Sequence, residues 1–265
     1  MPNKLVKVRL PEIGRLRLGG AKEANRPGKP LDTFRFTSPL KKTVDLVASI
    51  YGGEVKPYKG VDGPEFEVVI ERKVLPVLIP PTEGSHSSWM EKWSKGVLDR
   101  RCDGETVRLV EDSPDGPIPV EQPCVCAEEW PDNQERRASL YACSPLLRVN
   151  VILSELPISG QVLLASSGWN AAAEVGGVVE TVEGMMAERL NAGLPIYPVG
   201  ASLWIASRTT KSRVHGTRHF KTPVLALLGS VAELALPREV AAGAITDADT
   251  GEIVEAEQVS QAALT

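Results

Sequence analysis

All four cysteines of the chain fall within 42 of its 265 residues, and no other sequence feature constrains its fold as tightly. They are Cys102, Cys124, Cys126 and Cys143. Between the first two, ETVRLV and IPVEQ flank the turn-forming segment EDSPDGP, which predicts a β-hairpin. Such a hairpin returns the second and third cysteines to the neighbourhood of the first, and a second loop then brings in the fourth.

The clustering favours a metal site over disulfides. The N-terminus lacks an apolar run followed by a small-residue cleavage site, so we expect an intracellular protein, and disulfides are rare inside cells. Four thiolates complete the tetrahedral coordination of zinc with no open position, which predicts a structural Zn²⁺ bound by all four cysteines. The spacing C-x21-C-x-C-x16-C lacks the C-x2-C pairs of a standard zinc ribbon. Four reduced cysteines in a loop-rich module therefore remain the alternative.

The net charge of −4 conceals a strong segregation of charge along the chain. Residues 1–30 carry +6, whereas residues 231–265 carry −6 and residues 102–143 carry −7. Because phosphate backbones need basic side chains to neutralise them, the acidic cysteine module repels DNA. This pattern favours a protein with distinct docking faces over a generic nucleic-acid binder. We expect no membrane contact, since no apolar stretch approaches the roughly 20 residues that span a bilayer.

Hydrophobic periodicity predicts an α+β protein, mostly antiparallel β-sheet with two or three helices. LDTFRFTS alternates as a strand does, and residues 40–51 carry a helical stripe that ends at Gly52 and Gly53. QVLLASS, a helix over residues 169–192 and two further strands repeat this order. We therefore expect a βαββ-like half on each side of the cysteine module, with an internal duplication as one explanation.

Five segments follow from these patterns. They are a basic N-terminal arm over residues 1–30, a first α+β half over 31–100, a cysteine module over 101–145, a second α+β half over 146–230, and an acidic, disordered tail over 231–265. The tail is Ala-rich with few large apolar residues, so it buries too little surface to offset the entropy of ordering.

Two further groups of residues are candidates for binding a partner. SHSSWMEKWSKGVLDRR is predicted to be a helix with Ser88 and Glu91 as its capping pair, which places Trp89 and Trp93 on one face. These tryptophans either pack in the core or anchor a partner. The segment SRTTKSRVHGTRHFK is predicted to be a basic hairpin that either keeps a sheet edge solvated or contacts an acidic or phosphate-bearing partner. Its basic residues are Arg208, Lys211, Arg213, Arg218 and Lys221.

A search for catalytic motifs indicates no enzyme. The sequence contains no G-x-S-x-G elbow, no H-E-x-x-H and no EF-hand loop. The glycine-rich run near residue 14 departs from a phosphate-binding loop, because Gly20 and Ala21 stand where lysine and a hydroxyl residue are needed. We therefore predict no catalytic residues and expect function through binding.

Several segments together resemble one family. These are EIGRLRLG, LDTFRFTSP followed by the run IYGGEVKPY, the cysteine cluster entered through RRCDG, and SSGWNAAAEV followed by SRTTKSRVHGTRHFKTPVLAL. In this order they resemble the recombination directionality factors of actinobacterial temperate phages that carry large serine integrases. The resemblance covers about residues 10–228 and leaves out the acidic tail.

The resemblance implies a function that composition does not show. Such a factor binds its integrase and redirects it from joining attP with attB to recombining attL with attR, which excises the prophage. It implies a free monomer in the cytoplasm of the bacterial host that reaches DNA only through the integrase. One alternative is an early phage enzyme, which a buried cluster of carboxylates and histidines in a deep pocket would favour. The other is a zinc-containing, nucleic-acid-binding protein of phage replication, with residues 1–30 and 205–221 as a split basic surface. Salt-dependent DNA binding without integrase would favour that alternative.

Overall fold

The computed structural model describes residues 10–21, 28–59, 64–81, 85–94, 96–113, 116–131, 135–136, 139, 141–212, 216–229, 244–246 and 253–255. Within these ranges, the side chains of residues 109–120, 210–212, 216, 218, 244–246 and 253–255 are not described.

Thirteen of the described strands form one mixed, mainly antiparallel sheet. In the first half of the chain these strands are β1 (Glu12–Gly19), β2 (Pro30–Ser38), β3 (Val55–Lys59), β4 (Pro64–Val69), β5 (Val74–Ile79), β6 (His86–Ser94), β7 (Val97–Cys102), β8 (Thr106–Ser113) and β9 (Gly116–Pro123). In the second half they are β10 (Ser144–Leu153), β11 (Gln161–Ser167), β12 (Val199–Ser212) and β13 (Gly216–Leu227). The described helices with assigned bounds are α1 (Lys41–Tyr51), α2 (Val125–Glu129) and α3 (Trp169–Asn191).

The sheet follows the order β3-β4-β2-β1-β11-β10-β6-β7-β8-β9. Strand β5 pairs with both β10 and β12, and β12 pairs with β13 from Ala201 to Ser212. Among the described pairs, β1 and β11 run parallel and the others run antiparallel. The predicted α+β class with a mainly antiparallel sheet is confirmed.

The core is formed by inward-facing residues of the sheet together with helices α1 and α3, and strands β12 and β13 also pack against β2 without pairing with it. The long helix α3 buries Val175, Val179, Val182 and Met186, which recur at three- and four-residue steps. Alternate residues of β10 are buried beneath it, as strand geometry requires. None of the helices in the described residues is both long and apolar enough to span a membrane.

Gly14 and Gly53 show why glycine is needed at particular positions of this fold. A Cβ on Gly14 in β1 would lie 2.3 Å from Cζ of Phe36, so the ring of the neighbouring strand needs that space. After α1, Gly53 has a φ of 108°, a conformation that favours glycine, and a Cβ there would lie 2.2 Å from the carbonyl oxygen of Val69. These contacts explain why the motifs EIGRLRLG and YGG contain glycine.

The predicted helix over SHSSWMEKWSKGVLDRR is wrong, because this segment forms strands β6 and β7. Strand β6 pairs antiparallel with β10 on one side and β7 on the other, so sheet hydrogen bonds replace helical ones. Ser88 and Glu91 therefore do not cap a helix. The helix was predicted because the two tryptophans are four residues apart, as on one face of a helix. The polar and apolar residues of the same segment also alternate in a way that fits a strand equally well.

The predicted N-terminal arm is also wrong for residues 12–19. They form β1, which lies inside the sheet between β2 and β11. Leu16 is 1% exposed, and the arginines on either side of it face away from the core. The arm was predicted from the many basic residues of this segment, and the alternation of apolar and basic residues that is typical of a strand was overlooked. Residues 1–9 and 22–27 lie outside the described residues.

The two predicted halves both contain the order strand, helix, strand, strand: β2-α1-β3-β4 and β11-α3-β12-β13. They contribute to one continuous sheet, since β1 pairs with β11 and β5 pairs with both β10 and β12. In the predicted tail, Ala244–Thr246 (β14) and Ile253–Glu255 (β15) pair as a separate two-stranded sheet. The rest of residues 231–265 lies outside the described residues, so its predicted disorder stays a prediction.

Candidate metal centre and partner-binding residues

The predicted hairpin brings the cysteines together. Strands β8 and β9 pair in antiparallel register from Thr106 with Pro123 to Ser113 with Gly116. Cys102 ends β7, so the hairpin returns the chain to it at Cys124, which precedes the short helix α2. Cys126 lies within α2, and Cys143 lies just before β10. All four side chains are buried, with at most 1% of each residue exposed.

The thiols lie within metal-binding distance. The Sγ atoms of Cys102, Cys124 and Cys143 all lie within 4.8 Å of one another. Cys126 is the fourth member, and its Sγ accepts a hydrogen bond of 3.2 Å from the backbone N–H of Cys143. Tetrahedral zinc with Zn–S bonds of about 2.3 Å separates its sulfurs by about 3.8 Å. A cluster of this size and chemistry is compatible with a metal.

The thiols also shift one another's pKa values. A hydrogen bond with Cys143 lowers the pKa of Cys102 to about 6, even though burial opposes the shift. Burial raises the pKa of Cys124 to about 11. The pKa of Cys143 is raised by its hydrogen bond with Cys102 and by burial. One thiolate is therefore favoured at Cys102 near neutral pH, which supplies a first anionic sulfur for a cation.

Two side chains that the sequence did not identify hold the loops of this centre. Asp103 accepts hydrogen bonds from the backbone N–H groups of Glu105 and Thr106 at 3.1 and 2.8 Å, which closes the turn after Cys102. These two bonds lower the pKa of its carboxyl. Arg136 donates to the carbonyls of three residues at 2.9 to 3.2 Å, namely Gly104, Cys126 and Trp130. In the sequence, Arg136 contributes only to the net charge of the module.

Next to the centre lies a buried carboxylate that was predicted to be a helix cap. Glu91 is 2% exposed and receives two hydrogen bonds from Arg148, at 2.8 and 3.0 Å. Arg101 adds one at 2.9 Å, and Nε1 of Trp93 adds one at 2.7 Å. Burial raises the pKa of Glu91, but the bonds from Arg148, Trp93 and Arg101 outweigh it and lower the pKa below its usual value. The network joins strands β6, β7 and β10.

The two tryptophans lie on β6 and not on a helix. Trp89 is half-buried opposite Leu146 of β10, whereas Trp93 is 47% exposed and lies opposite Leu98 of β7. A register shift between Lys92 and Trp93 separates them. Neither side chain belongs to the buried core, so the role of the pair as a partner anchor stays a prediction.

The basic stretch forms the outer part of the β12–β13 hairpin, as predicted. Arg208 is exposed and donates to Glu174 of α3 at 3.1 Å. Lys221 forms an ion pair with Asp32 and donates to Ser207 at 2.6 Å. The side chains of Lys211 and Arg218 are not described, and Arg213 lies outside the described residues. The structure therefore places this stretch on a hairpin surface without bringing its five cations into one described cluster.

These observations define an α+β protein with one extended sheet and a buried centre of four thiols. A family model described as recombination directionality factor-like matches residues 13–228, and the chain belongs to this Gp3-like family. The resemblance drawn from the motifs is confirmed at the level of the family. No curated protein and no solved structure matches the chain. Membership of this family implies a recombinase as the partner.

Proposed function

We propose that the protein is a recombination directionality factor that binds a phage large serine integrase and redirects it from attP × attB to attL × attR recombination. The match of the family model over residues 13–228 carries this proposal. The integrase supplies the nucleophilic serine and the strand exchange, so the factor itself acts by binding and not as an enzyme. It works in the cytoplasm of the bacterial host as a monomer until it meets the integrase.

Directionality requires only a modest free energy. A ligand that binds one arrangement of its partner more tightly than another shifts the population by its difference in affinity. About 5.5 kcal/mol of difference converts a 1:99 population into a 99:1 population. One protein interface of ordinary size supplies that amount without any chemistry on DNA.

The cysteine centre has a structural role in this proposal. One Zn²⁺ is bound by Cys102, Cys124, Cys126 and Cys143, and four thiolates leave no open position for substrate. The metal ties the β8–β9 hairpin to the ends of β7 and β10. The burial of all four thiols and the 4.8 Å cluster of three of them support this assignment.

A purified recombination reaction tests the function. With the integrase encoded by the same genome, addition of the protein should switch on attL × attR recombination and suppress attP × attB recombination. An unchanged attL × attR yield with the correct integrase would overturn the proposal. Steeply salt-dependent DNA binding in the absence of integrase would instead support a nucleic-acid-binding replication protein.

Charge reversal tests the contribution of the basic hairpin. Arg208→Glu, Lys211→Glu and Arg213→Glu together should reduce the attL × attR yield several-fold, because an electrostatic docking element loses three cations. The matched control reverses Lys41, Lys56 and Arg72, whose side chains are 44% to 59% exposed and lie outside the hairpin. Equal yields from the two triple variants would exclude the hairpin as a docking element. Thermal unfolding of both should stay close to wild type, since exposed charges contribute little to stability.

A further inference from the structure

The outward face of the sheet carries a groove lined by cations. Its volume is about 630 Å³, and it runs across β1, β2, β11 and β10 on the side opposite the core. Its basic residues are Arg15, Arg17, Arg35, Arg148 and Lys221. Of the described residues that line it, none is acidic. Neither the family nor the cysteine centre accounts for this groove.

The alternation of the strands creates this arrangement. In EIGRLRLG, Leu16 faces the core, so Arg15 and Arg17 project to the outer face. Arg17 lies opposite Arg35 of β2, and paired residues of neighbouring strands project to the same side. On the other side of β1, Arg148 of β10 lies opposite Ala165 of β11, whose small side chain leaves the space open.

Most of these cations already have a carboxylate partner outside the groove. Arg15 binds Glu12 at 2.7 Å, Arg35 binds Glu67, Arg148 binds Glu91 and Lys221 binds Asp32. A guanidinium has five N–H donors in a planar fork, so one occupied edge leaves donors for a second anion. The pairs hold the side chains in place without placing negative charge on the groove wall.

Arg17 lacks such a partner among the described residues. Its Nε donates to Oγ1 of Thr37 at 3.2 Å, and no described carboxylate lies within 4.0 Å of its guanidinium. Burial lowers the pKa of Arg17, and the positive charges of Arg35 and Arg15 lower it further, whereas electrostatic interactions with Tyr58 and Glu65 raise it. The middle of the groove therefore holds a guanidinium that no carboxylate of the described residues contacts.

We infer that this groove binds an acidic segment of a polypeptide partner, which in the proposed function is a segment of the recombinase. Guanidinium groups pair with carboxylates through two parallel hydrogen bonds, which gives the contact both strength and orientation. Leu146 and Leu163 line the groove between the cations, so apolar side chains of an extended segment also find contacts. Tyr58 lines one side, and tyrosine and arginine are enriched at protein interfaces.

The shape and charge of the protein favour a polypeptide over nucleic acid. Arg35 is only 4% exposed at the bottom of the groove, where a flexible carboxylate side chain reaches and the backbone of a rigid duplex does not. The same sheet continues into the cysteine module, whose net charge of −7 repels a long polyanion. A short acidic segment occupies the groove without approaching that module.

A labelled peptide tests the groove without any recombinase. Fluorescein-labelled hexaglutamate should bind the full-length protein in about 0.15 M salt, measured by fluorescence anisotropy. Arg17→Ala should weaken its binding at least about tenfold, and Arg15→Ala, at a residue with an exposed side chain, should weaken it about threefold. Arg72→Ala removes the same charge from an exposed site outside the groove and should leave the affinity unchanged.

Two results would overturn the inference in this experiment. One is an unchanged peptide affinity in both Arg17→Ala and Arg15→Ala, with thermal unfolding confirming that both variants are folded. The other is tighter binding of a short oligothymidine than of hexaglutamate at the same salt concentration, which would assign the groove to single-stranded nucleic acid.

Because the identity of the partner rests on the proposed function, a second experiment separates the two ideas. Immobilised wild-type protein and the Arg72→Glu variant should capture the integrase equally, and Arg17→Glu should capture at least about tenfold less. Equal capture by Arg17→Glu and wild type would overturn the inference while the proposed function stands. Failure of the wild type to capture the integrase would overturn the proposed function, and the peptide experiment would then decide on the groove alone.

Discussion

Glu91 illustrates how a single buried carboxylate organises three strands. Its two oxygens receive four hydrogen bonds, from Arg148, Arg101 and Trp93, and only 2% of the residue is exposed. A buried charge is tolerated only when it is paired and its lone pairs are satisfied. From the sequence this glutamate was assigned to a helix cap because it follows Ser88 by three residues, whereas its actual partners lie 2, 10 and 57 residues away.

Glu91→Gln should destabilise the fold at neutral pH by about 2 to 3 kcal/mol, since two arginines lose their counter-charge. The pKa of Glu91 is lowered in the folded state, so its contribution is present above the unfolded pKa of about 4.3 and is lost as pH falls through the folded value. The stability difference between wild type and variant should therefore shrink below about pH 4. Urea denaturation of both proteins at several pH values measures this difference in the free energy of unfolding.

Glu155→Gln is the matched control, because Glu155 is 39% exposed and pairs with the exposed Arg72. Its effect should stay below about 1 kcal/mol at every pH. A Glu91 variant that behaves like this control, or a difference from wild type that grows toward low pH, would contradict the assigned role of Glu91.

At the level of structural elements, the loops of the cysteine module are held by the hydrogen bonds of one arginine, Arg136. Arg136 binds the carbonyls of Gly104, Cys126 and Trp130. Arg136→Ala leaves three carbonyls without their donor and should destabilise the protein by about 2 to 3 kcal/mol. Arg136→Lys should recover little of this loss, because an ammonium cannot reproduce the planar fork. Thermal unfolding measures both, with Arg72→Ala as a surface control that should stay near wild type.

The cysteines of this module should hold about one zinc per chain in elemental analysis of purified protein. Cys124→Ser should lower the zinc content and make residues 102–143 more sensitive to protease, since metal binding and local folding are coupled. Removing the metal with a strong chelator should have the same effect on the wild type.

Val107→Ala is the control for this prediction. Val107 packs in the same small cluster but has no metal-binding atom, so its loss should lower stability while zinc stays bound. Wild-type protein without zinc, or Cys124→Ser with its full zinc content, would support four reduced cysteines instead.

At the scale of the whole molecule, the thirteen-stranded sheet continues through both α+β halves and the cysteine module. Its last described contact before the tail is at Leu228, whose backbone N–H donates to the carbonyl of Gly200 at 2.9 Å. Truncation after Ser230 keeps this contact and removes a segment with a net charge of −6. Soluble expression, thermal unfolding and most activity should therefore survive this truncation.

A truncation after Thr222 provides the contrast, because it removes the part of β13 that pairs with β12 from Ala201 to Ile205. This shorter chain should fail to fold, whereas the chain ending at Ser230 should not. Loss of soluble protein on truncation after Ser230 would show that the acidic tail packs against the folded part.

The amino-acid sequence by itself determined the class of the protein and its family. Periodicity located α1, α3 and most strands, the turn residues of EDSPDGP located the β8–β9 hairpin, and the order of the motifs indicated the family. These are local features, set by side-chain spacing and backbone preference over a few residues. For the same reason, the convergence of the cysteines was predictable, since one hairpin brings Cys124 back to Cys102.

Only the tertiary structure decided the features that depend on pairing between distant segments. Residues 86–102 carry a pattern that fits a helix or a strand, and their pairing with β10 selects the strand. Arg17 and Arg148 lie 131 positions apart, yet they line one groove because β1 and β10 both pair with β11. Strand register across a sheet is a long-range property that no local spacing encodes, so the arginine groove and the Glu91 network became visible only in three dimensions.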